Sequence, residues 1–295
     1  MARSNEMDKV SFTADLLVVA RTLTDIPYSQ EIYEILLEKI KGTQMKIDFQ
    51  KEFESAKAFI TPRFECRYKL SNKLMKENGA VRVLELASGL APRGLQWTEN
   101  PNVTYVEFDL PRKIEEKRQI VEQLLSHSKM KPRPNLYFEA GDVLNREDMI
   151  TAVSHFDIGD GPIIIINEGL LGYLTHDQKK IMAGNIKYVL ERLGGCWITP
   201  DIHSPNVNQS DPISGLERIK AREDYMQSKG VHTHSFESVA VAKSFFEELG
   251  FFVEQRFLKE VFPEIVSTSR LNVSQDELEN GVGSQISFVM RCKST

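Results

Sequence analysis

From residue 81 onward the chain alternates short apolar runs with longer amphipathic stretches, and this alternation leaves few folds open. Segments 81–86, 103–108, 135–140, 162–167 and 196–200 read as strands, rich in Val, Ile, Tyr and Phe. Between them, 112–125, 146–153 and 176–193 read as helices. Pro111 suits a helical first turn, and Gly194-Gly195 closes the last of these helices. The run Ile163-Ile164-Ile165-Ile166 has no polar alternation, which predicts a parallel strand buried on both faces. Such a succession predicts right-handed crossovers and a doubly wound, mostly parallel α/β sheet. Near the end, 239–249 reads as a helix, and 251–258 and 285–291 as strands with no long apolar helix between them. A seven-stranded sheet should therefore finish in an antiparallel edge hairpin.

Two segments stand outside the alternation. Residues 1–78 lack strand runs; Ile32, Ile35, Leu36 and Ile40 form a helical stripe, which Thr61-Pro62 should break and 64–75 resume. They read as a helical lead-in or cap to a ligand-binding domain over 79–295. Residues 203–235 read as an insert, with a loop and a helix at 213–228, expected to help build a substrate pocket. A formal net charge of -5 argues against a duplex nucleic-acid partner, which requires an excess of Lys and Arg. No apolar run reaches the roughly 20 residues that span a bilayer, and residues 1–10 lack the apolar centre of a signal peptide. Cys66, Cys196 and Cys292 have no paired spacing and read as reduced thiols of a cytoplasmic protein.

Ligands of doubly wound sheets bind beyond the carboxyl ends of the strands. After the first strand comes Ala87-Ser88-Gly89-Leu90-Ala91-Pro92, small enough for close backbone approach. A dinucleotide loop wants GxGxxG; Ala87, Gly89 and Pro92 hold those positions, and Pro92 argues against a pyrophosphate on a helix N-terminus. By itself an ordinary strand-to-helix turn explains the loop equally well. After the second strand, Glu107 and Asp109 share a face, and one of them can accept both ribose hydroxyls. After the third, Asp142 beside Val143 suits an adenine amino group and ring. After the fourth, Glu168 leaves a very apolar strand, and a buried carboxylate requires a partner. Acids at successive strand ends describe a pocket for an adenosine bearing positive charge, as in S-adenosylmethionine.

The segments 83–90 (VLELASGL) with Arg93, 106–111 (VEFDLP) with Lys117, 167–175 (NEGLLGYLT) and the lead-in 10–14 (VSFTA) resemble the leucine carboxyl methyltransferase family. That family includes bacterial polyketide-type O-methyltransferases and a tRNA-modifying branch, and the likeness spans about residues 10–200. The resemblance implies a Rossmann-like methyltransferase with S-adenosylmethionine bound at the loop Glu85 to Leu90. It implies Asp109 on the ribose, Asp142 and Val143 on the adenine, Ala87 and Gly89 along the methionine portion, and Glu168 near the amino group. Arg63, with Arg67 the alternative, would grip the cofactor carboxylate with its guanidinium fork. The family loop reads Gly-Ala-Gly followed by Leu-Asp-Thr-Arg. Here Ala87 replaces the first Gly and Ala91-Pro92 the Asp-Thr pair, and Ala87 is accommodated only with a negative φ.

Methyl transfer from a sulfonium needs mainly positioning. A carboxylate acceptor is already ionised near neutral pH and needs no base, whereas a hydroxyl can need one. Tyr173 and His203 are the candidates on the acceptor side, ahead of His232 and His234; the pair His232-Thr233-His234 lacks a third metal ligand and reads as a loop. Trp97 and Trp197 read as core. The acceptor is expected to be a small molecule or a chain-terminal carboxylate, and the acidic balance weighs against tRNA. Two alternatives stay open: a nicotinamide-dependent oxidoreductase, against which Pro92 weighs, and a catalytically inactive module that binds S-adenosylmethionine.

Overall fold

The computed structural model describes residues 17–39, 44–127, 131–156, 161–202 and 234–293. The insert's expected helix at 213–228, together with His203 and His232, lies outside them. A helical stretch, 17–22, is followed by α1 (Ser29–Lys39) and α2 (Gln44–Glu77). Helix α2 continues through Pro62, where a break was expected. An interior proline costs a helix about 3 kcal/mol. The turns beyond it bury Cys66, Tyr68, Leu70, Leu74 and Met75, at roughly 1.5–3 kcal/mol for each large apolar side chain. Packing therefore outweighs the one lost hydrogen bond.

The alternation then runs β1 (Arg82–Leu86), α3 (Arg93–Trp97), β2 (Thr104–Asp109), α4 (Pro111–His127), β3 (Leu136–Ala140), α5 (Arg146–Val153), β4 (Ile163–Asn167), a 3-10 turn (Leu171–Tyr173), α6 (His176–Leu193) and β5 (Gly195–Ile202). After the insert come α7 (Val239–Glu248), β6 (Phe251–Phe257), a second 3-10 turn (Leu258–Glu264), α8 (Ser267–Leu271), α9 (Gln275–Val282) and β7 (Ile286–Cys292). The strands form one seven-stranded sheet in the order β3-β2-β1-β4-β5-β7-β6. Strands β1 to β5 pair in parallel, and β7 is antiparallel to both β5 and β6. The antiparallel ending is as expected, except that β7 slips between β5 and β6 and leaves β6 at the edge.

Alternation along the strands divides the core. Val83, Ile164 and Ile166 face α1, α2 and α4, whereas Leu84, Leu86, Ile163 and Ile165 face α5, α6 and α7. Glu85 is therefore on the side of α2. Trp197 is fully buried, and Trp97 packs at the core's margin. Helix α6 begins in a capping box between Thr175 and Gln178 and ends at Gly194, φ +67°. Gly195 follows at φ +106°, and a Cβ there would lie 1.9 Å from the carbonyl oxygen of Ile163, so only glycine lets β5 start beside β4. β5 extends past its expected end at Pro200, because pairing with β7 resumes at Ile202 after a register irregularity that accommodates the proline. That extension places Asp201 on the strand. No described helix is long and apolar enough to cross a membrane.

Candidate functional site

The strand order reverses between β1 and β4, which pair with each other at the centre of the sheet while β2 lies outside β1 and β5 outside β4. A crevice for ligands opens at such a switch point, beyond the carboxyl ends of the strands. The loop after β1 turns sharply there. The Ser88 N–H donates to the Phe108 carbonyl at 3.2 Å and the Gly89 N–H to Asp109 Oδ2 at 2.8 Å. To reach both, Ala87 takes φ +51° and Gly89 φ +50°. The negative φ expected for Ala87 is thus corrected: the hydrogen bonds to β2 force it left-handed. The left-handed conformation costs a residue with a Cβ roughly 1–2 kcal/mol, partly offset by the lower unfolded-state entropy of alanine. Ala87→Gly should accordingly raise stability by about 0.5–1 kcal/mol, read as a higher urea midpoint; a lower one would contradict the loop conformation.

Close helix packing, the work of the third glycine in a dinucleotide loop, falls here to Gly94. A Cβ at that position would meet Glu107 Oε1 at 2.1 Å. Glu107 itself is buried beneath α3 against Lys117. Burial pushes its carboxyl up to about 7, Lys117 pulling the other way. Of the two acids on β2, Asp109 is the one at the rim. Its Oδ1 accepts the Leu110 N–H at 2.7 Å and its Oδ2 that of Gly89. Burial raises its carboxyl above the usual range, and these two backbone donors lower it. A carboxylate has about four acceptor positions, so Asp109 keeps capacity for two more donors.

At the end of β3, Asp142 Oδ1 accepts the Leu144 N–H, and the Asp142 N–H donates to Asp148 Oδ2, each at 2.9 Å. Val143 is buried beside it, its carbonyl accepting from Asn185 Nδ2 at 3.0 Å. At the end of β4, Glu168 has the partners its position demands. Arg93 Nη2 donates to its Oε2 at 2.8 Å, and Arg67 Nε is 3.7 Å from its Oε1. Burial raises the Glu168 carboxyl, but Arg67, Arg93 and Arg21 outweigh it and hold it below the usual range.

Arg93 is the hub beneath the loop. It is fully buried and pairs with Glu85 as well as Glu168, donates from Nε to Asn72 Oδ1 at 3.1 Å, and stacks on Tyr68 with 4.3 Å to the ring centroid. Burial works against its charge, yet Glu85 and Glu168 hold the guanidinium well above its ordinary value. Glu85 has both oxygens engaged, one by Arg93 and one by the Tyr105 hydroxyl at 2.8 Å. Arg67 pairs with Asp201 and carries the face of α2 inward; Arg63 lies half-buried one turn earlier on the same helix. Tyr173 is half-buried on the 3-10 turn after Glu168. Asp109, Asp142 and Glu168 thus follow or end β2, β3 and β4 at the same edge of the sheet, Asp109 bonded to the loop 87–90 and Tyr173 on the β4 side.

Sequence reasoning missed Asp201 and Arg21. Asp201 Oδ1 accepts the Gly169 N–H at 2.7 Å, and its Oδ2 accepts from Leu170 N and Asn167 Nδ2 at 2.7 Å and Leu171 N at 3.1 Å. It folds the turn that carries Glu168 and Tyr173. An acid three residues past the fifth strand's apolar run was the available signal. Among the described residues no cluster of His, Cys, Asp and Glu could hold a metal ion.

The sequence model of the family described as leucine carboxyl methyltransferase matches residues 13–187. Comparison with curated proteins gives no match. Among solved structures, the chain is similar in fold to a DUF574-family protein from Streptomyces avermitilis, at 12% identity over 96% of this chain and 97% of that one, with a TM-score of 0.57. Human N-acetylserotonin methyltransferase, solved with S-adenosylmethionine, is more distant: 13% identity, 73% of this chain, 48% of that one, TM-score 0.44.

Proposed function

Because the chain belongs to the leucine carboxyl methyltransferase family, we propose that it methylates oxygen, on a carboxylate or hydroxyl of a small molecule or on a chain-terminal carboxyl group. Its cofactor is S-adenosylmethionine, which when bound supplies a methyl group on a sulfonium with a good leaving group. The observation that carries the reading is the set of carboxylates at consecutive strand ends around a loop of small residues. Asp109, with acceptor capacity left after two backbone bonds, fits a ribose diol. Asp142 and Val143 fit an adenine edge and face. Ala87 and Gly89 would lie along the methionine portion, Glu168 near its amino group and Arg63 near its carboxylate. Glu85, with both oxygens engaged, would act on the site through Arg93.

Glu168 is held ionised by its arginines and is a poor proton acceptor. This favours an acceptor that arrives ionised, a carboxylate, over a hydroxyl. Tyr173 and His203 would orient that acceptor. The chain's own contribution is then to hold both reactants in line and keep water away.

Mass spectrometry of the purified protein should find S-adenosylmethionine or S-adenosylhomocysteine. With label in the methyl group and a panel of carboxylic acids and alcohols, the product should release labelled methanol in mild alkali, as esters do and ethers do not. Tight cofactor binding with no transfer to any acceptor would identify an inactive binding module instead. Asp109→Ala should weaken S-adenosylhomocysteine binding about 10- to 100-fold, the worth of hydrogen bonds to a charged group; full affinity in titration calorimetry would refute the ribose assignment.

A further inference from the structure

The cofactor assignments leave Arg21 unused. It lies on the helical stretch 17–22 and is 9% exposed. Its Nη1 reaches the carbonyl of Leu90, in the loop after β1, at 3.4 Å. Among the described residues that is the only hydrogen bond of its side chain, and no carboxylate forms an ion pair with it. The nearby acids are already engaged: Glu85 by Arg93 and Tyr105, Glu168 by Arg93 and Arg67, Asp201 by Arg67 and the turn after β4. A guanidinium offers five N–H donors in a rigid fork, and among the described residues only Nη1 of Arg21 has an acceptor. Burial lowers its pKa, and Glu168 counters that effect, which places its charge beside the cofactor's expected amino-acid end.

We propose that Arg21 is a ligand-binding residue whose remaining donors, between Leu90 and Glu168, receive a carboxylate from the cofactor's methionine portion or from the methyl acceptor. A planar fork pairs with a carboxylate through two parallel hydrogen bonds, which supplies the acceptors that the protein does not. The proposal rests on the reading of this crevice as the S-adenosylmethionine site. It also gives the helical lead-in a chemical task, since the stretch 17–22 is what brings a cation to the loop from 69 residues away in sequence.

The test is titration calorimetry on the full chain, wild type and Arg21→Gln, with two probes: S-adenosylhomocysteine, and methylthioadenosine, which lacks the amino-acid carboxylate. If the carboxylate is the cofactor's, Arg21→Gln should weaken S-adenosylhomocysteine about 10- to 100-fold and leave methylthioadenosine unchanged. If it is the acceptor's, both probes keep their affinity. In that case benzoate, added at saturating S-adenosylhomocysteine, should raise the melting temperature of the wild type but not of the variant, with uncharged benzamide inert in both. Equal losses for the two adenosine probes, or no difference in either arm, would overturn the proposal. A wild type that binds neither adenosine probe would instead overturn the reading of the crevice itself. Should Arg21→Gln not fold, Arg21→Lys keeps the charge and loses the fork, and should show the same pattern at smaller amplitude.

Discussion

Replacing Arg93 with leucine should cost the fold about 3–5 kcal/mol at neutral pH, because it leaves two buried carboxylates without their shared cation. Arg93 has no exposed surface, and the Glu85 and Glu168 that it joins are nearly as buried. The loss should shrink as the pH falls. In the native protein the Glu168 carboxyl lies below its unfolded value. It therefore adds stability above the unfolded pKa that is lost as the pH drops through the folded one. Without Arg93 only Arg67 and Arg21 oppose burial, so the Glu168 carboxyl rises relative to wild type and the variant loses less on acidification. Wild type loses the Glu168 contribution only as the pH falls below the ordinary carboxylate range, the variant has less of it to lose, and their urea midpoints should draw together below about pH 4.5. Adding Glu85→Gln should restore part of the loss. A penalty under about 1 kcal/mol, or one that is flat with pH, would show that the hub is not what holds the carboxylates.

Much of this arrangement could be read before the structure, for physical reasons that differ by region. Unbroken apolar runs and period-3.6 patterns report burial directly, so the Ile163 to Ile166 strand and the crossovers were visible. The acids at strand ends were visible because topology alone sets those ends on one edge of the sheet: Asp109, Asp142 and Glu168 needed only parallel strands to share it. Side-chain hubs had no such shortcut. Arg93 appeared in the sequence as part of a motif, but its grip on both Glu85 and Glu168 depends on where α3 sets down, and Gly94 against Glu107 determines that. The helix through Pro62 was misread because a local rule was applied where tertiary burial decides. Ala87 was misjudged for a related reason: the loop's backbone bonds to β2 outweigh the strain of one left-handed alanine. Asp201 was hidden by the proline before it, which marks a strand end unless an antiparallel neighbour resumes pairing beyond it, as β7 does.

Asp201→Asn, nearly isosteric, should cost about 3 kcal/mol and nearly as much as Asp201→Ala, because a buried donor left unpaired costs about 1–3 kcal/mol and several are at stake. The aspartate oxygens face donors on every side: Arg67 and the Gly169 N–H on Oδ1, and Leu170 N, Leu171 N and Asn167 Nδ2 on Oδ2. Whichever way an asparagine amide is turned, its NH2 group points at two or more of these donors, and the charge that pairs with Arg67 is gone. The turn from Glu168 to Tyr173 would lose its inner anchor. It is also tied from outside, by the His234 N–H to the Gly172 carbonyl at 2.8 Å and by Lys179 Nζ to the Leu174 carbonyl at 2.9 Å. The variant should therefore stay folded with Glu168 displaced: a lower urea midpoint, and S-adenosylhomocysteine binding weakened about tenfold or more, equivalent to 1.4 kcal/mol. Because the outer ties survive, the loss should be local, and the change in denaturant midpoint should come without a change in slope. An asparagine variant within about 1 kcal/mol of wild type that binds with full affinity would mean that the turn holds its shape without Asp201 and that Glu168 is positioned by its arginines alone.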